Sequence, residues 1–270
     1  MPRKMQQEER LEEMIRELLR EEIRTGHTEI PEDRQARENM WRSLVNVREA
    51  KPAREEYLAV QDAYLQERLR EKGVTEGEAL TAVPSDERLV LWQGDMSLLQ
   101  CDAVVNPANS RMLGCFQPLH ACLDNVLHTF AGVQLRLACY KQMQAIRAKL
   151  GESYEQPTAI PMMTDAFNLP AKKIVHVVGP VVAGTLADTH REQLAACYRN
   201  TMMLCDRQGM NSLAFCCIST GVFSFPQEAA ADIAVRTVKK YLDAGTKLRR
   251  VIFNVFTDED ARIYRELLEA

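Results

Sequence analysis

The chain has 270 residues, 46% of them hydrophobic and 27% charged, with a net charge of −4; that leaves room for one large or two small domains of ordinary globular composition. The acidic balance argues against generic nucleic-acid binding, which wants a basic footprint, and no apolar run approaches the roughly 20 residues that span a bilayer. The charged N-terminus does not read as a secretory signal, so the eight cysteines (Cys101, Cys115, Cys122, Cys139, Cys197, Cys205, Cys216 and Cys217) read as free thiols of a reducing, cytoplasmic compartment.

Residues 1–73 read as a helical extension. Leu11, Met14, Ile15, Leu18, Leu19 and Ile23 recur at spacings of three and four, which predicts a helix over 5–25 that Gly26 ends. Pro31 is placed to open a second helix, with Met40, Trp41, Leu44 and Val45 as its apolar stripe. A third runs from Pro52 to Lys72 and buries Tyr57, Leu58, Tyr64, Leu65 and Leu69. Such stripes usually pack on a neighbouring domain; a partner- or substrate-binding role is the alternative. Residues 74–87 carry Gly, Thr, Pro and Ser punctuation and read as a linker.

From residue 88 onward apolar runs alternate with helical stretches. Strands are predicted at 89–92, 102–105, 158–163, 173–179, 213–218 and 251–256, the third weakened by Pro161. Helices are predicted at 122–150, 186–208 and 226–244, with Asp258 capping a last one. This alternation means a largely parallel sheet covered on both faces. Ligands of such sheets bind at the carboxyl ends of the strands, which groups the loops after Trp92, Val105, Ile218 and Phe256.

Three of these loops carry chemistry. Asp95, after Gln93-Gly94, has the placement to accept from an exocyclic amine such as adenine's, although Gly-Asp is also a common turn. Ser219-Thr220-Gly221-Val222-Phe223 joins a buried strand to a helix; successive amides there suit a phosphate, but it lacks the lysine of a Walker A loop. The loop after Val105 holds Cys115, His120 and Cys122 in the spacing Cys-x4-His-x-Cys. Two thiolates and an imidazole suit zinc, and three ligands without a fourth resemble an open catalytic site. Two buried thiols beside an unrelated histidine is the other reading, and His128 is better placed to pack than to ligate.

Taken together, WQGDM, DAVVNPANS, NLPAKKIVHVVGP and ISTGVFSFP resemble, in order, the motifs of the macrodomain family, from about Leu89 to the C-terminus. GCFQPLHACLDNVLHTFAG resembles its zinc-containing branch. The resemblance implies a three-layer α/β/α macrodomain over 88–270 with a mixed, largely parallel sheet, preceded by an N-terminal helical extension. It implies a glycosidase-type hydrolase that removes mono-ADP-ribose from modified proteins, in some microbes a lipoyl carrier protein modified by a sirtuin-type transferase. Asp95 and the Met96 amide would hold adenine, with Phe256 lining its pocket. Asn109 would contact the distal ribose at the scissile bond, Asp124 would orient water, and Ser219 to Phe223 (Ser219, Thr220, Gly221, Val222, Phe223) would wrap the pyrophosphate. Cys115, His120 and Cys122 would bind Zn2+. The sequence departs from the family at Met96, where Ile is usual, at Pro107, and near Ala159 to Thr164, where a Gly-containing run is expected. A reader module that binds ADP-ribose without cleaving it, and a purely structural zinc, are the competing readings.

Overall fold

The computed structural model describes residues 5–21 and 29–269. Its first part is three helices, α1 (Gln7–Glu21), α2 (Arg34–Val47) and α3 (Glu55–Lys72). The three-and-four spacing sets Leu11, Met14, Ile15 and Leu18 on one face of α1. That face is buried against Trp41 and Val45 of α2 and Tyr57, Tyr64 and Leu65 of α3. The predicted end of the first helix, with Ile23 and Gly26, lies outside the described residues.

Pro31 does not open α2. Asp33 caps it instead, its carboxylate accepting from the Ala36 amide at 2.7 Å; a helix start needs such an acceptor, and proline has none. The third helix starts at Glu55 rather than Pro52. The carbonyls of Lys51 and Pro52 turn instead to the buried Arg48 guanidinium, at 2.9 and 3.1 Å. Gly73 ends α3 at φ +82°, a conformation open to glycine.

The segment 74–87 is folded rather than a free spacer. In it, β1 (Thr75–Glu76) pairs in parallel with β3 (Leu99–Gln100). Gly77 follows, buried so closely that a Cβ would lie 2.7 Å from the Gln100 carbonyl.

The main sheet contains β2 (Leu89–Gln93), β4 (Ala103–Ala108), β5 (Met162–Asp165), β6 (Lys173–Val178), β7 (Ser212–Phe215) and β8 (Arg250–Val255) in the order β2-β8-β7-β4-β6-β5. All neighbours are parallel except β5 and β6. Successive residues of β4, β6, β7 and β8 are buried, so both faces of the sheet are covered. The covering helices are α4 (Leu123–Ala131), α5 (Val133–Leu150), α6 (Asp188–Arg207), α7 (Gln227–Asp243) and α8 (Asp258–Glu269). This is the mixed, largely parallel three-layer architecture expected.

Local departures have identifiable causes. The strand predicted at 158–163 sits at Met162–Asp165, after Pro161, whose ring removes a ladder donor. Pro107 nevertheless lies within β4. By then β7 has ended its pairing, at Val104, leaving an open edge that tolerates proline. The single helix expected over 122–150 is two, broken at Gly132 (φ +96°), where the Gln61 side chain accepts from the Val133 amide at 3.0 Å. Thr257, not Asp258, caps α8, its hydroxyl accepting from the Asp260 amide at 3.1 Å.

The helical extension is docked through satisfied polar contacts as well as apolar ones. Asn46 donates to Thr129 at 2.9 Å and accepts from the Leu119 amide at 3.0 Å. Arg136 of α5 donates to the carbonyls of Leu113 (2.8 Å) and Val45 (3.2 Å), and Phe130 packs against both hydrophobic cores. The extension therefore sits against the loop after β4, at the carboxyl end of the sheet.

Candidate functional site

A cleft of about 880 Å³ opens at that end. Its walls include Asp95, Met96, Asn109, Cys115, His120, Cys122, Asp124, Ser219 to Phe223 and Phe256. The structure thus brings every residue singled out in the three loops onto one surface.

At one end, β2 stops at Gln93 and the chain turns. The Asp95 carboxylate caps the turn by accepting from the Ser97 amide at 2.9 Å, and its second oxygen stands 3.9 Å from the Arg68 guanidinium. Gly94 is required here, since a Cβ would lie 2.3 Å from the Trp92 indole. Asn254 of β8 donates to the Gly94 carbonyl at 3.0 Å and fixes the turn. Met96 is buried by its side chain, so only its backbone is suited to a ligand. Phe256 is 78% exposed, a large apolar ring left uncovered at the rim.

The floor is the loop after β7. None of the five consecutive amides from Ser219 to Phe223 donates a hydrogen bond among the described residues. The loop is held by other groups: Phe225 N to Ser219 O at 3.0 Å, Ser224 N to Gly221 O at 3.0 Å, and Val182 N to Phe223 O at 2.9 Å. Ser219 takes φ +69°, and its hydroxyl is buried without a partner. Unpaired donors in a turn just before a helix are an arrangement that suits an anion.

At the other end, β4 runs into Asn109. Its side chain accepts from the Arg111 amide and donates to the Gly114 carbonyl, both at 3.1 Å, which leaves one amide hydrogen. Gly114 has φ +80°, and a Cβ there would lie 2.7 Å from the His128 ring. His128 therefore packs beneath the loop, apart from the other donors, as expected.

Cys115, His120 and Cys122 converge, with their ligand atoms all within 4.8 Å of one another. The Cys115 sulfur lies 3.7 Å from His120 Nδ1. A tetrahedral zinc with ordinary Zn–S and Zn–N bonds would set these atoms about 3.6 Å apart. Cys122 also caps α4, its sulfur accepting from the Asn125 amide at 3.4 Å. Burial, together with the adjoining Cys115 sulfur, pushes the Cys122 thiol up; a bound cation would reverse that.

Asp124 lies in the first turn of α4, 5% exposed. It accepts from Asn106 Nδ2 at 2.7 Å, and burial pushes its carboxyl up to about 6. Asn106 also donates to His176 Nδ1 at 3.1 Å, so His176 carries its proton on Nε2 and donates to the Thr164 hydroxyl at 2.9 Å. Burial lowers His176 to about 3 and His128 well below its ordinary value.

Several residues of the cleft escape sequence reasoning. Arg42, from α2, lines it, but nothing in its local sequence shows a contact some 80 residues downstream. Asn254 did leave a signal, as the polar residue inside the apolar run VIFNVF. Asn106 and His176 likewise interrupt apolar strands.

Comparison with known proteins finds relatives of this fold. Residues 105–234 match the Macro domain family. The chain is 43% identical over 242 residues to a protein-ADP-ribose hydrolase of Treponema medium, covering 89% of this chain and 90% of the relative. It is 46% identical over 235 residues to a protein-ADP-ribose hydrolase of Staphylococcus aureus strain MRSA252, covering 85% of each. The fold is similar to that of a Trypanosoma brucei macrodomain in complex with ADP-ribose. That likeness has a TM-score of 0.62 and 27% identity, and covers 83% of this chain and 94% of the other.

Proposed function

The chain belongs to the macrodomain family, among relatives named protein-ADP-ribose hydrolases, and we propose that it removes mono-ADP-ribose from modified proteins with a zinc ion held by Cys115, His120 and Cys122. One observation carries the reading. A single cleft holds an empty-handed anion nest, Ser219 to Phe223, on its floor and a converged set of soft donors at one end. A pyrophosphate fits the first and zinc the second.

In this reading the amides of Ser219 to Phe223 and the Ser219 hydroxyl take the pyrophosphate. Asp95 accepts from the adenine amino group, and Phe256 covers the ring. These contacts lie away from the reacting carbon and supply binding energy for positioning. Asn109, anchored by Arg111 and Gly114, turns its remaining amide hydrogen to the distal ribose. Asp124 is ionised near neutral pH and, held by Asn106, is placed to accept a proton from the attacking water. When bound, zinc would supply Lewis acidity, lowering the pKa of water or fixing a ribose hydroxyl. The products are free ADP-ribose and the unmodified protein.

The substrate is proposed as a class, a mono-ADP-ribosylated protein. A lipoyl carrier modified by a sirtuin-type transferase rests on the resemblance, and a cytoplasmic location on the charged N-terminus and the free cysteines. No helix among the described residues is long and apolar enough to cross a membrane. The test is incubation with proteins carrying ADP-ribose on Asp/Glu, Ser or Cys, with metal content measured in parallel. Release of free ADP-ribose from at least one, with about one zinc per chain, is expected. Tight ADP-ribose binding with no release from any of them would make the protein a reader instead.

A further inference from the structure

Two arginines of the helical extension reach the two ends of the cleft. Arg42 of α2 lines it beside the donor set. One of its terminal nitrogens donates to Asn125 Oδ1 at 3.0 Å and to the His120 carbonyl at 3.4 Å. Asn125 in turn donates its backbone amide to the Cys122 sulfur at 3.4 Å and its side-chain amide to the Gln117 carbonyl at 2.9 Å. Arg42 thus braces the loop that carries His120 and Cys122 through the same asparagine that touches a donor sulfur. Both acceptors are neutral, no carboxylate pairs with Arg42 among the described residues, and its Nε is buried without a partner. A half-buried guanidinium in this position is costly unless its charge is used.

Arg68 of α3 lies at the other end. Its guanidinium stacks on the Phe130 ring, 3.6 Å from the centroid, and stands 3.9 Å from Asp95 Oδ2. Phe130 lines the cleft and packs into the core of the extension as well. The Asp95 oxygen facing Arg68 is the one not used in capping the turn.

We infer that the helical extension is a working wall of the site, in which Arg42 is a positioning residue for the Cys115–His120–Cys122 loop and Arg68 a positioning residue for Asp95. This rests on the proposed assignment of zinc and ADP-ribose to the cleft. Partners of metal ligands hold those ligands in orientation and are commonly worth about 10- to 100-fold in metal affinity or activity. Arg68 acts on recognition, holding the free Asp95 oxygen in place for the exocyclic amine.

The two arginines predict separable defects in the full chain. Arg42→Gln should lower zinc affinity about 10- to 100-fold, read by competition with a chromophoric chelator, and lower kcat, with the Kd for free ADP-ribose unchanged. Arg42→Lys keeps the charge and a nitrogen able to donate, but on a shorter stem without the planar fork; it should recover part of the zinc affinity. Arg68→Gln should raise the ADP-ribose Kd and the KM severalfold and leave zinc affinity unchanged. A role in packing alone would lower the melting temperature of these variants while the folded protein kept wild-type zinc affinity and ADP-ribose Kd, and that result would overturn the inference. The controls separate this failure from failure of the underlying assignment. Wild-type protein that takes up no zinc defeats the metal assignment and the Arg42 half with it, whereas the Arg68 half is decided by ADP-ribose calorimetry alone.

Discussion

Asn106 donates to Nδ1 of His176 at 3.1 Å, deep beneath the cleft. Because the same amide also holds the Asp124 carboxylate at 2.7 Å, His176 cannot be protonated on Nδ1 without breaking the support of a cleft residue. Burial lowers its folded pKa to about 3, against about 6.5 in the unfolded chain.

The sign of the effect follows. Between these values the unfolded state binds a proton that the native state refuses, so this stability is present above pH 6.5 and lost as the pH falls toward 3. His176→Gln keeps an acceptor for Asn106 and removes the titration. Its stability should decline less steeply than wild type between pH 6 and 4, by up to about 1.4 kcal/mol per pH unit. Denaturant unfolding at a series of pH values measures this, and parallel profiles would refute it.

The floor of the cleft makes a paired prediction. A Cβ at Gly179 would lie 2.1 Å from the Ser219 hydroxyl oxygen, whereas one at Gly221 would meet nothing within 4 Å. Gly179→Ala should therefore displace Ser219 and weaken ADP-ribose binding roughly tenfold, about 1.4 kcal/mol. Gly221→Ala, whose methyl would meet no protein atom, should keep the Ser219 loop in place and melt as wild type does. Calorimetric titration of the first variant, with thermal melting of both, distinguishes a nest made of these amides from one made elsewhere.

Asn109→Ala should separate turnover from affinity. The side chain anchors its own loop and turns one hydrogen to the cleft, so its loss misplaces the ribose more than it weakens the remote contacts. Turnover should fall about 100-fold, with the ADP-ribose Kd within about threefold of wild type. An affinity loss as large as the loss of turnover would move Asn109 from the scissile end to general binding.

The sheet was legible because Leu89–Gln93, Lys173–Val178 and Arg250–Val255 are short apolar runs bounded by turn residues, and burial on both faces leaves that pattern. The donor set was legible because Cys115, His120 and Cys122 lie within eight residues. The break at Gly132 was not, because the periodicity of α4 and α5 continues through it; the turn is stabilised by groups distant in sequence, Gln61 of the extension and Asn168. Pro31 misled because proline marks a helix start only when the residue before it can cap, and Asp33 supplies the cap further on. Arg42 and Arg68 were illegible for a different reason. Each sits on a helix rich in charged residues, and only tertiary docking separates the ones that reach the cleft from the ones that face water.

The measurement that bears most directly on the central claim is hydrolysis by one preparation before and after removal of its metal. Free ADP-ribose released from a mono-ADP-ribosylated protein is followed in the zinc-loaded enzyme, after chelation, and after stoichiometric zinc is returned, with the ADP-ribose Kd measured at each stage. The account predicts that chelation stops release while binding survives, that zinc restores release, and that Cys115→Ala and His120→Ala behave as the stripped protein does. Full release by protein shown to be free of metal would contradict it.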